Sequence, residues 1–339
     1  MKTMNYVVSS GEMLIDLTQL DRRGHIIFEA HPGGAPANVA VGIARLGGKS
    51  RFFGKLSRDF FGDMLLQTLK KNGVDAGFVP DRSERQTALA IVILDKSGDR
   101  KFVFYHDRSA DTKLSPVDVT DRIFEDASVF HLGSVSMATD PSRSAMIELV
   151  KRARLANCLV SCDLNIRENL FSEKEDVGAT LKFLLSNSDI FKCSEEELHL
   201  LDYGPDGYKS RDNAGDYGER WIRNCIDHIL AAGPALVIVT RGRQGAVIGC
   251  EDSTVSVPAF RVRAVDTTGA GDAFTAALLY RLVRDGLAVS SSIRDIPEDT
   301  LTELGAFCNA AAGFSCTRYG GIDSLPAIRN VSGILKSAK

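Results

Sequence analysis

At 339 residues, 44% hydrophobic and 25% charged, the chain has the make-up of a globular protein long enough to bury a core without disulfide or metal staples. Its formal net charge is −3 with both signs spread along the chain, which argues against a nucleic-acid or membrane-surface binder. No window reaches the roughly 18 apolar residues of a membrane span, and the N-terminus lacks a secretory signal pattern, so a cytoplasmic protein is expected.

The first third reads as strands with one helix. Met13-Leu14-Ile15 and Ile26-Ile27-Phe28 flank the turn Asp21-Arg22-Arg23-Gly24, a hairpin pattern. Apolar residues at helical spacing run from Ala37 to Leu46 and stop at the C-cap pair Gly47-Gly48. A second hairpin is expected from Ala88 to Leu94, a Lys96-Ser97-Gly98-Asp99 turn, and Phe102 to Tyr105. From about Ser128 strands and helices alternate. Val129 to Leu132 precedes a helix from about Ser142 to Ala156, and Leu159 to Cys162 precedes one near Val177 to Leu185. Ile190-Phe191 precedes another near Glu195, and Leu236 to Val239 begins the last strand group. Such alternation predicts a mostly parallel sheet with helices on both faces. The early hairpins do not fit it and are expected as a separate small β-sheet, a lid inserted at about 12–32 and 86–106. One domain over 1–328 with a tail at 329–339 is the expected organisation.

The seven cysteines, at 158, 162, 193, 225, 250, 308 and 316, are odd in number and show no C-x-x-C spacing. Neither a disulfide framework nor a zinc site is expected. Most lie in apolar stretches such as Cys158-Leu159-Val160, as buried thiols do.

The segment richest in chemistry is Asp266-Thr267-Thr268-Gly269-Ala270-Gly271-Asp272, followed by an apolar helical run from Ala276 to Leu287. Two glycines around an alanine before a helix leave backbone N–H groups pointing at one place, an anion hole reinforced by the helix dipole. A plain glycine-rich strand-to-helix turn reads the same way. A dinucleotide fingerprint would need a third glycine where Phe274 stands and a place near the first strand. A P-loop at Gly42 to Ser50 would need glycine where Ile43 stands, and it leaves a helix instead of a strand. Near the N-terminus, Gly33 and Gly34 allow close backbone approach to a ligand, and Asn38 carries both a donor and an acceptor.

Asp266 to Asp272 resembles the C-terminal signature of the ribokinase-like carbohydrate kinases, and Gly33-Gly34-Ala35-Pro36-Ala37-Asn38-Val39-Ala40 resembles the N-terminal one. The resemblance covers roughly residues 5 to 328 and implies a three-layer α/β/α core with a β-lid. It implies that Asp272 is the base that takes a proton from the sugar hydroxyl. Gly269, Ala270 and Gly271 would hold the transferring phosphoryl group, with Arg167 of Asp163-Leu164-Asn165-Ile166-Arg167 reaching it. Phosphoryl transfer relies on positioning and charge neutralisation, and a carboxylate beside the anion hole suits a general base.

The resemblance also implies Asp16, Gly33, Gly34 and Asn38 as sugar contacts. Phe104-Tyr105-His106-Asp107-Arg108-Ser109-Ala110-Asp111 is similar to the Phe-Tyr-Arg-x-x-Ser-Ala-Asp run of fructokinases, with His106 in place of the arginine. Phe104, His106 and Arg108 are therefore candidate sugar contacts. A neutral histidine favours fructose over a sugar acid such as 2-keto-3-deoxygluconate, while Arg108 is placed to compensate.

On the nucleotide side the resemblance implies Lys192, Thr240, Gly242, Gly245 and Asn309 around ATP. Glu197 would order water around Mg2+, although Ser194-x-x-Glu197 is equally a capping box. Asp266, Thr268, Ser315, Arg318, Gly320 and Ser324 correspond to a K+ site. The partners expected are ATP, a sugar and a second copy of the chain joined through the lid, with no nucleic acid or membrane.

Overall fold

Runs such as Leu236-Val237-Ile238-Val239 are buried along their whole length, the pattern of a parallel sheet covered by helices on both faces. The computed structural model describes residues 5–22, 25–94, 100–171, 173–201 and 218–337. Its large sheet comprises β1 (Tyr6–Ser10), β4 (Lys49–Phe53), β7 (Ala127–Gly133), β8 (Leu159–Asp163), β9 (Ile190–Ser194), β10 (Leu236–Thr240), β11 (Ala246–Cys250) and β12 (Thr254–Val257). The order is β12-β11-β10-β9-β8-β7-β1-β4. Every neighbouring pair from β4 to β10 is parallel, and the last two strands add an antiparallel edge.

Helices α3 (Ser142–Leu155), α4 (Lys174–Asn187) and α5 (Glu219–Ala231) bury their apolar sides on one face, in a cluster with Phe130 and Phe191. Helices α1 (Ala35–Arg45), α6 (Ala270–Arg284), α7 (Glu298–Ser315) and α9 (Ile328–Ser337) cover the other, around Phe274 and Leu278. Phe130, Phe191 and Phe274 are essentially inaccessible, and truncating one such ring to alanine costs about 3–5 kcal/mol. Helix α2 (Phe60–Lys71) closes a third cluster with Leu65 and Leu69. Among the described residues no helix is long and apolar enough to cross a membrane. All seven cysteines are free, and six are buried.

Two elements differ from expectation. The helix expected near Glu195 is a 3-10 stretch, Glu195–Leu201, not a full α-helix. Residues from 329 onward, expected as a tail, mostly belong to α9, whose Val331 is buried in the second cluster.

The small sheet contains β2 (Leu14–Arg22), β3 (His25–Gly33), β5 (Leu89–Leu94) and β6 (Arg100–Tyr105) in the order β3-β2-β5-β6. Arg23 and Gly24 of the first turn and the whole Lys96–Asp99 turn lie outside the described residues. Register sorts its faces. His31, Asp16, Ala90 and Phe104 pair in one row, and Ala30, Leu17, Ile91 and Val103 in the next. The two rows point to opposite sides of the pleat.

Candidate active site

The carboxyl ends of β1, β7, β8, β9 and β10 open on one side of the large sheet, where ligands sit in open α/β folds. The start of α6 and the Asp16–Phe104 face of the small sheet enclose that side, leaving a cavity of about 660 Å3.

At one end the chain makes an anion cradle. Gly269 caps α6 in the left-handed region, φ 78°, which a residue with a Cβ enters only at a cost. The first N–H groups of the helix then have no intrahelical partner and face the cavity end of the dipole. A Cβ on Gly271 would stand 3.4 Å from Lys192 Nζ, so the lysine lies directly against the cradle. Lys192 donates to Asp163 Oδ2 at 2.6 Å, and Thr275 Oγ1 donates to the same oxygen at 2.9 Å. Burial pulls the ammonium down, but the Asp163 carboxylate outweighs it and holds Lys192 above its usual range, hence charged. Arg167 lines the cavity with Nη1 folded onto the Ile166 carbonyl at 2.9 Å.

Asp272 stands in the first turn of α6, 8% exposed. Burial pushes its carboxyl up to about 6, against the pull of the hydrogen bond from Asn38. Asn38 Nδ2 donates to Asp272 Oδ2 at 2.6 Å. Asp16 shares this half of the cavity, and burial raises it to about 7. Gly33 is required beside it, since a Cβ there would stand 2.3 Å from Asp16 Oδ2.

His106 and Phe104 line the same half, while Arg108 is exposed and absent from the cavity wall. Arg108 is therefore not in place to compensate for the missing arginine. His106 is also not a free ring, since its Nε2 is bonded to Asp111 Oδ2. Burial lowers it, but its 2.5 Å hydrogen bond to Asp111 Oδ2 and nearby acidic charge leave it above its ordinary value. Its proton is committed to Asp111, which also accepts from Ser109 Oγ.

Thr240, the last residue of β10, and Gly242 just beyond it line the cavity; Gly245 and Asn309 do not. Asn309 Nδ2 is donated to the Val257 and Pro258 carbonyls at 2.9 and 3.1 Å. Glu197 lines the cavity and accepts from Ser194 N and Ile166 N at 2.9 and 2.7 Å. It thus joins the end of β9 to the loop after β8. Asp266 accepts from Thr268 N at 2.7 Å and Gly320 N at 3.1 Å. Val265 N donates to the Cys316 carbonyl, so the 266–268 and 315–324 segments lie together. Ser315 and Ser324 donate to the Ala312 and Gly321 carbonyls, and Arg318 stacks 4.9 Å over Phe314. Among the described residues no group of three His, Cys, Asp or Glu side chains forms a metal cluster.

Sequence reasoning left Glu12, Asp111, Asp163 and Thr275 without a role. Asp163 opens the quoted run that ends at Arg167, but nothing local signals that Asp163 pairs with Lys192 or that Glu12 enters the cavity wall.

A buried carboxylate beside a helix-start anion cradle, facing a half-cavity under a β-lid, defines a phosphotransferase acting on an alcohol group. The chain belongs to the pfkB family of carbohydrate kinases, whose family model matches residues 4–328. Fructokinase-1 of Oryza sativa subsp. japonica is 38% identical over 336 residues, covering 98% of each protein. A crystal structure of fructokinase with bound ATP from Xylella fastidiosa matches with TM-score 0.86 and 31% identity, over 100% of this chain and 99% of that one. Fructokinase from Vibrio cholerae O395 in a fructose-, ADP- and calcium-bound form matches with TM-score 0.80 and 32% identity, over 98% and 99%.

Proposed function

We propose that the chain is a fructokinase, converting D-fructose and ATP to fructose 6-phosphate and ADP with Asp272 as general base. The observation that carries this reading is the placing of Asp272 between the anion cradle of α6 and the Asn38–Asp16 half of the cavity. The acceptor hydroxyl lies on the Asp16 side and the γ-phosphoryl group against the start of α6 at Gly269 and Gly271, while the Ala270 N–H is held by the Thr267 carbonyl. As the sugar oxygen bonds to phosphorus, the bond from phosphorus to the ADP oxygen breaks and the hydroxyl proton passes to Asp272. Lys192 and Arg167 balance the charge on the transferring group, which matters more than covalent help in a loose transition state. A general base in this position contributes ~10²–10⁴-fold. Gly33, Gly34 and Phe104 shape the sugar pocket, while Thr240 and Gly242 floor the nucleotide half. Asn309 supports that floor through the 257–258 backbone, and Gly245 shapes the loop from beneath.

Mg2+ arriving with ATP prefers few protein carboxylates, several waters and the phosphates themselves. Glu197 fits that demand: each oxygen already holds one backbone N–H, which leaves a second lone pair for water. When bound, the ion neutralises charge on the phosphates. The backbone-rich site around Asp266, Thr268, Ser315, Arg318, Gly320 and Ser324 is proposed to take K+, adding positive field near the cradle.

The outer row of the lid supports a homodimer. Ile26, Phe28, Val103 and Tyr105 share that face at 68, 43, 42 and 61% exposure. An apolar patch of this kind marks an interface.

An ADP-release assay with fructose, ribose, 2-keto-3-deoxygluconate and adenosine tests the function. Fructose is expected to give the highest kcat/KM. A tenfold advantage for any other acceptor overturns fructose as the substrate, and no turnover with any overturns the kinase reading.

A further inference from the structure

Glu12 is a buried acid that the chemistry above does not use. It follows the end of β1, is 3% exposed, and forms part of the cavity wall beside Asp16 and His106. Its carboxyl accepts from Ser136 Oγ, which donates to Oε2 at a long 3.3 Å, and from its own backbone N–H. A buried carboxyl with so few partners is expensive, and one that lines a cleft is a candidate functional group.

The charges around it are lopsided. Asp111 acts on it from the loop after β6 and Asp272 from α6, and Asp16 of β2 adds a further acid to the same cavity. The basic group acting on Glu12 is His106, whose proton is shared with Asp111, while His31 lies beside Asp16 and meets Asp323. Lys192 and Arg167 belong to the phosphate half, and Lys192 is already paired with Asp163. A neutral polyol brings hydroxyl donors that acidic acceptors can take. A sugar acid brings another negative charge into the same volume, and like charges at close quarters repel.

We propose that Glu12, backed by the His106–Asp111 pair, is a further sugar-contacting residue that makes this half of the cavity accept an uncharged sugar and reject a sugar acid. The inference deepens the fructokinase reading and rests on it. Burial, together with the Asp111 and Asp272 charges, holds the Glu12 carboxyl up at about 7. Rejection therefore strengthens as Glu12 ionises. Asp16 ionises in the same range, so the effect of Glu12 must be read as a difference between parent and variant.

The test compares parent, Glu12→Ala and Glu12→Gln by the KM for fructose and by the inhibition constant of 2-keto-3-deoxygluconate competing with fructose, at pH 6 and pH 8. The alanine variant is expected to raise the KM for fructose at least tenfold, with the KM for ATP within twofold. In Glu12→Gln the ratio of inhibition constant to KM is expected to fall at least tenfold below the parent at pH 8. That gap is expected to be at least threefold narrower at pH 6. A purely structural Glu12 would not give a pH-dependent gap. If the alanine variant disturbs the KM for ATP, the glutamine variant alone decides. A KM within twofold of the parent in an otherwise intact alanine variant, or an equal gap at both pH values, overturns the proposal. A parent that phosphorylates another neutral sugar but not fructose overturns the substrate, not the role of Glu12, which is then measured with that sugar.

Discussion

Asn38 and Asp272, 234 positions apart, share a buried hydrogen bond in which Asn38 Nδ2 donates to Asp272 Oδ2 at 2.6 Å. The N-terminal motif thus orients the base supplied by the C-terminal one. The asparagine is expected to do more than meet the sugar: it fixes which carboxylate oxygen remains for the acceptor hydroxyl. Its Oδ1 is buried with no partner, so the bond to Asp272 is its established polar contact.

Replacing Asp272 by asparagine is expected to lower kcat at least ~10²-fold while ATP binding survives, as loss of a general base should. Steady-state kinetics with nucleotide titration check this. A kcat within about threefold of the parent would remove Asp272 from the mechanism.

Asn38→Ala should move the acid limb of the kcat profile. Burial holds Asp272 at about 6 even though the Asn38 hydrogen bond lowers it. Removing that bond leaves burial opposed by the Lys192 and Arg167 charges alone, and the pH below which kcat falls should rise by about half a unit or more. An unmoved limb with reduced kcat would mean that Asn38 acts on the sugar alone.

The same burial gives the ligand-free enzyme a distinctive pH–stability profile. Glu12 and Asp16 at about 7 and Asp272 at about 6 all lie above their unfolded values. Between about pH 4 and 7 the native state therefore binds more protons than the unfolded chain, and these three groups destabilise the fold as pH rises through that window. Asp16→Asn should raise the melting temperature more at pH 8 than at pH 5, because at pH 5 only the part of the penalty that builds up from about pH 4 is present. Scanning calorimetry at both values checks it, and an equal shift at both would contradict the assignment.

The lid face predicts self-association. Light scattering at micromolar concentration should give a dimer mass, and Phe28→Glu should shift it towards monomer by placing a charge in the apolar row. A parent of monomer mass defeats the dimer. A dimer indifferent to Phe28→Glu moves the interface off the lid.

Much of the architecture was legible because its signals are local. Alternation after Ser128 announced the parallel sheet, and the Asp21–Gly24 and Lys96–Asp99 turns marked strands that became the small sheet, as pleat and turn chemistry act over a few residues. Gly269 to Asp272 and Gly33 to Asn38 likewise announced themselves, because a left-handed helix cap and a close backbone approach leave few choices besides glycine. Tertiary structure alone decided how these pieces meet. Asn38 reaches Asp272, and Lys192 reaches Asp163, only because strand order brings distant chain segments side by side. His106 and Arg108 sit two positions apart in equally polar sequence, yet one lines the cavity and the other faces solvent. A left-handed backbone at Arg108, φ 57°, separates them. Nothing in the sequence singles out Glu12; burial near Asp111 and Asp272 gives it its chemistry. Desolvation and neighbouring charge are properties of a packed volume, and no stretch of sequence carries them.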